Sequence, residues 1–267
     1  MIELLLSDVD GTLVRKDKTL APSTVEAVHA LHDAGVHFAV TSGRPPRGMQ
    51  MLIEPLHLKA PLAGFNGGLV VEPDLKVVDE RLVDEGLVPR AVQLMRSFDL
   101  SVWLYPGEDW LVLDRQGPHV ERESHTVQFE PTVVDTLDGV TAGIAKIVGV
   151  SDDYDVVAAA EAAAHEELGA GVSASRSQPY YLDITHPRAN KGFVVQFLAE
   201  RYALASDEIA TIGDMPNDVL MFAHSGLSIA MGNAHREVQR AARSVTSSNE
   251  EDGFAKAVEK FILEGRS

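Results

Sequence analysis

Apolar positions recur along this chain with two different spacings, and the way the two alternate predicts its elements. Residues 2–6, Ile-Glu-Leu-Leu-Leu, form a short apolar run that stops at Ser7-Asp8, as a buried parallel strand does. Ser23-Thr24-Val25-Glu26 reads as a capping box, and Val25, Val28 and Leu31 repeat at helical spacing until Gly35 stops the helix. Val36 to Val40 predicts a second strand ending at Thr41-Ser42-Gly43-Arg44, and Pro45-Pro46 opens a helix that fades near Leu56. Leu62 to Phe65 predicts a third strand ending at Asn66-Gly67-Gly68. Strand, helix, strand, helix, strand in this order implies an α/β class with a parallel sheet and right-handed crossovers.

The spacing then changes. Val70-Val71 and Val77-Val78 flank Glu72-Pro73-Asp74 as a hairpin would, and Leu87 to Phe98 is an amphipathic helix. Ser101 to Tyr105, Trp110 to Asp114, Ile144 to Val150, Val172 to Ser175 and Tyr180 to Thr185 read as strands, with an alanine-rich helix from Val156 to Leu168 closed by Gly169. Hairpins mixed with two helices indicate an α+β unit inserted into the first fold. The expected division is residues 1–84 plus 188–267 for the parallel-sheet domain and 85–187 for the insertion. The α/β pattern returns with a helix capped by Asn190 and running to about Leu204, and with a strand from Glu208 to Ile212 ending at Gly213-Asp214. A helix opening at Pro216, a strand from Leu227 to Met231, a helix from Ala234 to Ala242 and a final helix from Val258 to Leu263 complete it.

Composition narrows the partners. In 267 residues, 23 Lys and Arg against 40 Asp and Glu leave a net charge of −17, and no basic cluster suited to nucleic acid or anionic lipid interrupts it. The absence of cysteine removes disulfides, thiolate metal sites and thiol nucleophiles, and suits a reducing compartment. The N-terminal apolar run lacks a basic leader and meets Asp8 and Asp10 at once, unlike a signal peptide. No apolar run approaches the roughly 18 residues of a membrane span. A cytoplasmic protein of two domains, monomeric or homodimeric, is expected, with neither nucleic acid nor membrane as partner.

Ligands of open parallel sheets bind at the carboxyl ends of the strands, so residues just past those ends meet in space. Here Asp8 and Asp10 follow the first strand, Thr41, Ser42 and Arg44 the second, Asn66 the third, and Asp214, Asn217 and Asp218 the strand after the insertion. Carboxylates so gathered repel unless a cation intervenes, and hard oxygen ligands favour Mg²⁺ over Zn²⁺. Ser42, Asn66, Asn217, the backbone N–H groups beside Gly11 and Gly43, and Lys191 at a helix start are donors for a phosphate. A carboxylate facing a clamped phosphoryl group can serve as nucleophile and form an aspartyl-phosphate, with the carboxylate two residues on as acid and base.

At these residues the chain resembles a known family. Asp8-Val9-Asp10-Gly11-Thr12-Leu13 is similar to the first motif of the haloacid dehalogenase-like (HAD) superfamily of phosphatases, Thr41-Ser42-Gly43-Arg44 to the second, Lys191-Gly192 to the third, and Gly213-Asp214-Met215-Pro216-Asn217-Asp218 to the fourth. Met231-Gly232-Asn233-Ala234 and the stretch Thr246 to Gly253 resemble the Cof-type branch, whose members carry a type IIB α+β cap between motifs two and three, and Tyr181-Leu182-Asp183-Ile184 resembles its return strand. The resemblance implies a Rossmann-like core with that inserted cap, Asp8 as nucleophile, and Asp10 as the acid that protonates the leaving oxygen and then activates water. It also implies Mg²⁺ held by Asp8, Asp214 and the backbone carbonyl of Asp10, with Asp218 acting through water, and phosphate oxygens held by Ser42, Lys191 and neighbouring Asn217. Ser42 stands where many relatives have threonine, which keeps the hydroxyl.

Several residues remain open on this reading. Arg44 is divided between substrate contact and a structural ion pair, and Asn66 between ligand contact and a turn beside Gly67. In the insertion, Arg176 and Asp183 are candidates for reading a polar leaving group, with Tyr180 and His186 nearby, while Trp103 and Tyr105 are core residues. His29 and His32, three apart on a helix, read as surface residues, and Glu250-Glu251-Asp252 as a solvated helix start. An EF-hand is excluded, because Gly11 is the fourth residue from Asp8 rather than the sixth, and neither a Walker A loop nor a G-x-G-x-x-G run occurs. The expected activity is Mg²⁺-dependent hydrolysis of a small phosphorylated metabolite, a sugar phosphate first and a phosphorylated cofactor second. A sugar-phosphate mutase and a non-catalytic phospho-metabolite sensor are the rivals.

Overall fold

The computed structural model describes residues 1–264, and they form two compact units. The first comprises residues 1–43, 49–78 and 190 onward, and the second comprises 79–189 together with 44–48. In chain order the first unit begins with β1 (Leu4–Asp8), α1 (Pro22–Asp33), β2 (His37–Thr41), β3 (Leu62–Gly64) and β4 (Leu69–Val71), followed by β5 (Val77–Glu80) at the junction. The second holds α2 (Val88–Ser97), β6 (Ser101–Pro106), β7 (Leu111–Val112), α3 (Val120–Val127), β8 (Thr132–Val133), β9 (Ile144–Val150), α4 (Tyr154–Leu168), β10 (Ser173–Gln178) and β11 (Tyr181–Thr185). The chain then returns with α5 (Lys191–Tyr202), β12 (Ile209–Gly213), α6 (Val219–Phe222), β13 (Leu227–Ala230), α7 (Arg236–Ala241), β14 (Ser244–Val245) and α8 (Gly253–Val258).

The first sheet has the order β14-β13-β12-β1-β2-β3-β4-β5, and β1 lies between β12 and β2 with both pairings parallel. Its continuous apolar run follows from this central position, since both faces must be covered. Leu5 joins Val28 and Leu31 of α1 and Phe254 of α8 in one core layer, while Leu4 and Leu6 join Val194, Val195 and Leu198 of α5 in the other. The consequence for chemistry is direct. The neighbouring parallel strands β12, β1, β2 and β3 all point the same way, so Asp214, Asp8, Ser42 and Asn66 leave the sheet along one edge.

The second unit is built on a sheet of order β10-β11-β9-β6-β7-β8. Leu104, Ile147, Leu182 and Ile184 pack against Ala91 and Met95 of α2 and Ala160 and Ala164 of α4. The register pairs Trp103 and Asp183 each with Val148, and Tyr105 and Thr185 each with Lys146, so these residues share the opposite face. Trp103 and Tyr105 are buried, as core residues are.

Local chemistry moves several boundaries away from the sequence expectation. The capping box at Ser23 does not form: α1 starts at Pro22, whose ring suits a first helical turn, and the Ser23 hydroxyl instead donates to Asp252 Oδ1 at 2.7 Å. The helix expected from Pro45 to Leu56 is a 3₁₀ turn over Pro46–Leu52, with helix-weakening Gly48 inside it. Strand β7 spans only Leu111–Val112 instead of Trp110 to Asp114. Helix α4 begins at Tyr154 because Asp153 caps it, its carboxylate accepting from the N–H groups of Asp155 and Val156. Helix α3 was not anticipated: Val120, Ser124 and Val127 are its buried positions, and a serine among polar neighbours hid that stripe. The last helix is α8 followed by a π turn over Glu259–Leu263.

Candidate active site

Asp8 closes β1 and is 4% exposed, and its Oδ1 accepts a hydrogen bond from Lys191 Nζ at 2.5 Å. Lys191 is the first residue of α5, held there by Asn190, whose Oδ1 accepts from the N–H of Phe193 at 3.0 Å. Only 1% exposed, its ammonium also donates to Asp218 Oδ1 at 2.6 Å. Asp218 is fully buried, and its Oδ2 accepts from the backbone N–H groups of Asp214 and Met215 at 2.8 Å each. One carboxylate thus closes the loop after β12 and aims the lysine. Gly213 makes that possible, because a Cβ there would stand 2.4 Å from the Asp218 carboxyl carbon.

Asp214 completes the group. Its Oδ1 accepts from Thr12 Oγ1 at 3.4 Å and its Oδ2 from Asn233 Nδ2 at 3.1 Å. Gly11, at φ +81°, lies so close that a Cβ would meet Asp214 Oδ2 at 2.3 Å, so both its backbone and its missing side chain are required. Asp8, Asp214 and Asp218 each bring a carboxylate oxygen within 4.8 Å of the others. Burial pushes the Asp8 carboxyl well above the ordinary carboxylate range, Lys191 pulls it back, and Asp218 and Asp214 push it further up. Asp214 is raised to about 6, first by burial and then by Asp218, against the pull of Lys191 and Thr12. Burial would lower Lys191, yet Asp218 and Asp8 outweigh it and hold the ammonium above an ordinary lysine. One buried cation therefore faces three carboxylates. Asp8 Oδ2, buried and without a protein partner, adds an aimed hard ligand, so this set can hold a metal ion.

The other residues expected from the sequence fall into two groups. In the first unit, Asp10 stands close enough to the carboxylates to push Asp214 up, and its Oδ1 accepts from Lys18 Nζ at 2.6 Å. Asn217 donates through Nδ2 to Asn66 Oδ1 at 3.0 Å, and the Asn66 N–H donates to the backbone oxygen of buried Ser42 at 2.8 Å. Phe65, Asn66 and Gly67 all have positive φ, which turns the chain sharply after β3. In the second unit, buried Arg44 donates to the carbonyl of Gly48 at 3.2 Å. Arg176 is held by Glu161 at 2.8 Å, and Asp183 lies 3.4 Å from Lys146 with its Oδ1 buried and unpartnered.

Residues that the sequence left without a role tie this site together. Asn233 donates to both Gly11 O and Asp214 Oδ2, and its own Oδ1 accepts from the N–H of Asn249, which donates through Nδ2 to Val14 O at 2.9 Å. Glu250 accepts from the N–H of Lys16 at 2.8 Å, and Asp252 from Ser23 and Arg15. The acidic run is an exposed helix start, as its pattern implies, with Glu251 accepting from Ser248, and Glu250 and Asp252 also bracket the loop after β1. The motifs containing Asn233 and Asn249 were visible as family resemblance, but nothing in their spacing showed what they hold. His29 and His32 point no ligand set at a metal; each ring nitrogen meets a backbone carbonyl, of Pro55 and of Leu56.

A buried lysine among carboxylates at the carboxyl edge of a parallel sheet can receive a phosphate and a metal ion, and comparison with known proteins shows the family. Residues 5–258 match the family model of haloacid dehalogenase-like hydrolases, and the chain belongs to that family. A haloacid dehalogenase-like hydrolase from Bacteroides thetaiotaomicron superposes with a TM-score of 0.91 at 26% identity, over 98% of this chain and 100% of that one. A second protein of that organism, described among the phosphatases of the superfamily, gives 0.83 at 27% identity over 100% and 96%. The Bacillus subtilis 5-amino-6-(5-phospho-D-ribitylamino)uracil phosphatase YitU is 25% identical, with 97% of each chain covered. The present chain is an enzyme of the phosphoric monoester hydrolase class. Among the described residues, no helix is long and apolar enough to cross a membrane.

Proposed function

We propose that this enzyme hydrolyses a small phosphorylated metabolite through a phospho-enzyme formed on Asp8, with Mg²⁺ as cofactor. The observation that carries the reading is the asymmetry of Asp8: Oδ1 is pinned by Lys191 while Oδ2 is buried and unpartnered. In the first half-reaction an Asp8 carboxylate oxygen attacks phosphorus, the bond from phosphorus to the leaving oxygen breaks, and Asp10 gives that oxygen a proton. In the second, water attacks the phosphorus of the aspartyl-phosphate, Asp10 takes the proton from water, and the bond to Asp8 breaks to release phosphate. Ser42, Lys191 and Asn217 are the proposed phosphate donors, and Asn66 acts by holding Asn217. Bound at Asp8, Asp214 and the Asp10 carbonyl, with Asp218 behind them, Mg²⁺ would neutralise the phosphoryl oxygens. The insertion over 85–187 is the proposed specificity element, with Arg176 and Asp183 as its candidate residues and Arg44 and Asn66 as the substrate candidates outside it.

A sugar phosphate is the first substrate class, and a phosphorylated ribityl compound of the kind named for the Bacillus subtilis relative is the second. The protein is read as cytoplasmic, a monomer or homodimer. The test is phosphate release from a panel of sugar phosphates, nucleotides and phosphorylated cofactors, with Mg²⁺ or with chelator. Release that needs Mg²⁺ is expected. Isomerised sugar phosphate without free phosphate would mean a mutase, and tight binding without turnover would mean a sensor.

Metal binding also has a pH signature. Asp214 sits at about 6 in the metal-free fold against an ordinary 3.8, so between those values the folded chain binds more protons than the unfolded one. The stability from this group is full below the lower value and is lost as pH rises through the upper. A bound cation removes that penalty. Added Mg²⁺ is therefore expected to raise Tm more at about pH 7.5 than at about pH 5, measured by thermal unfolding with Mg²⁺ and with EDTA. Equal shifts at the two pH values would count against a metal at Asp214.

A further inference from the structure

The loop after β1 contains a residue whose backbone conformation is unfavourable for its type. Lys18 has φ +68°, in the left-handed region where glycine or asparagine is at ease and a lysine is strained. The turn around it is well made. Its N–H donates to Arg15 O at 2.9 Å, the Arg15 N–H donates to Thr19 O at 2.9 Å, and Asp17 Oδ1 accepts from both the N–H and the hydroxyl of Thr19. Any residue but proline could donate that N–H, and glycine would do so without strain. What the long basic side chain supplies is the contact at its far end, 2.6 Å from Nζ to Asp10 Oδ1. Both partners are part-exposed, and ion pairs of that kind stabilise folds little. Strain retained without a matching gain in stability points to function.

We propose that Lys18 is a positioning residue for Asp10, holding that carboxylate at the angle from which it exchanges protons with the leaving oxygen and then with water. The inference rests on the reading of Asp10 as the acid and base above, and it extends that reading to a residue for which the sequence offered no signal. The loop can serve as a rigid mount. Glu250 holds the Lys16 N–H, Asp252 holds Arg15, and Asn249 holds Val14 O, so the segment carrying Lys18 is fastened on several sides to residues more than two hundred positions away. The charge sign is also suited. Four acidic side chains, Asp8, Asp10, Asp214 and Asp218, must admit a phosphate, and Lys18 brings an ammonium to Asp10 as Lys191 does to Asp8.

The test uses the full chain and three variants, Lys18→Met, Lys18→Arg and Lys18→Gly, with a sugar phosphate turned over by the wild type and with p-nitrophenyl phosphate. Lys18→Met is expected to lower kcat for the sugar phosphate about 10- to 100-fold, the range for a displaced catalytic group, with KM changed less than about threefold. Lys18→Arg restores most of the rate. With p-nitrophenyl phosphate, whose leaving group departs without a proton, only the second half-reaction is slowed, so acid-quenched phospho-protein accumulates in Lys18→Met and not in the wild type. Lys18→Gly relieves the backbone, and is expected to keep or raise Tm while losing rate as the Met variant does. Wild-type kcat in Lys18→Met, or a loss of Tm in Lys18→Gly that parallels its loss of rate, would overturn the positioning role and leave the phosphatase reading standing. Absence of turnover and of phospho-protein in the wild type would overturn both.

Discussion

Asp8→Asn is expected to remove turnover of every substrate by at least about four orders of magnitude while leaving the fold intact. The amide is close to isosteric with the carboxylate and keeps one oxygen to accept from Lys191, so the 2.5 Å contact can survive in weakened form. Its nitrogen has no nucleophilic lone pair to offer phosphorus, and no covalent phospho-protein should form. Stability should move the other way. Asp8 is buried beside Asp214 and Asp218 and its charged form is disfavoured there, so the metal-free variant should unfold at the wild-type temperature or higher. Single-turnover assays with acid quench, together with thermal unfolding in EDTA, check both parts. A variant that still releases phosphate at a tenth of the wild-type rate would assign the nucleophile elsewhere.

Lys191→Met has the largest expected effect on stability. The ammonium is the buried cation between Asp8 and Asp218, and removing it strands two carboxylates in a site sealed from water. Breaking a buried pair in this way costs about 3–5 kcal/mol, which for a chain of this length lowers Tm by on the order of 10 °C. The rate should fall by about a thousandfold as well, because a preorganised donor to the phosphoryl oxygens is lost. Mg²⁺ should narrow the stability loss, since a second cation takes over part of the same charge. Thermal unfolding of wild type and variant with and without Mg²⁺ measures the difference. An unchanged Tm in EDTA would show that Lys191 does not carry the charge balance of the cluster.

Much of this site was legible because chemistry and backbone geometry were written in the same short runs. Asp8 and Asp10 stand at the end of an apolar run that reads as an interior strand, and Gly213-Asp214 ends another; parallel order then brings the two ends together. Asn190 was legible as a cap for the same reason, since the residue that starts α5 also sets where Lys191 begins. Bonds that span long sequence separations were not legible. Nothing local distinguishes the capping serine expected at 23 from one that reaches Asp252, and nothing marks Glu250 as the acceptor for Lys16. The sequence also does not show the partners of Arg176 and Arg44, which the fold supplies as Glu161 and the Gly48 carbonyl.

What the sequence determined by itself was the periodicity of the strands and helices, the order of the four motifs and the excess of carboxylate at the strand ends. Those are properties of neighbouring residues, where sterics, capping and burial act within a few positions. The tertiary structure decided which carboxylates face one another, that Asp218 spends one oxygen on its own loop and the other on Lys191, and that Asp10 is held by a lysine eight residues away at a strained turn. Orientation of that kind follows from side-chain packing and hydrogen bonding across elements distant in the chain, and those interactions acquire definite partners only when the whole sheet has formed.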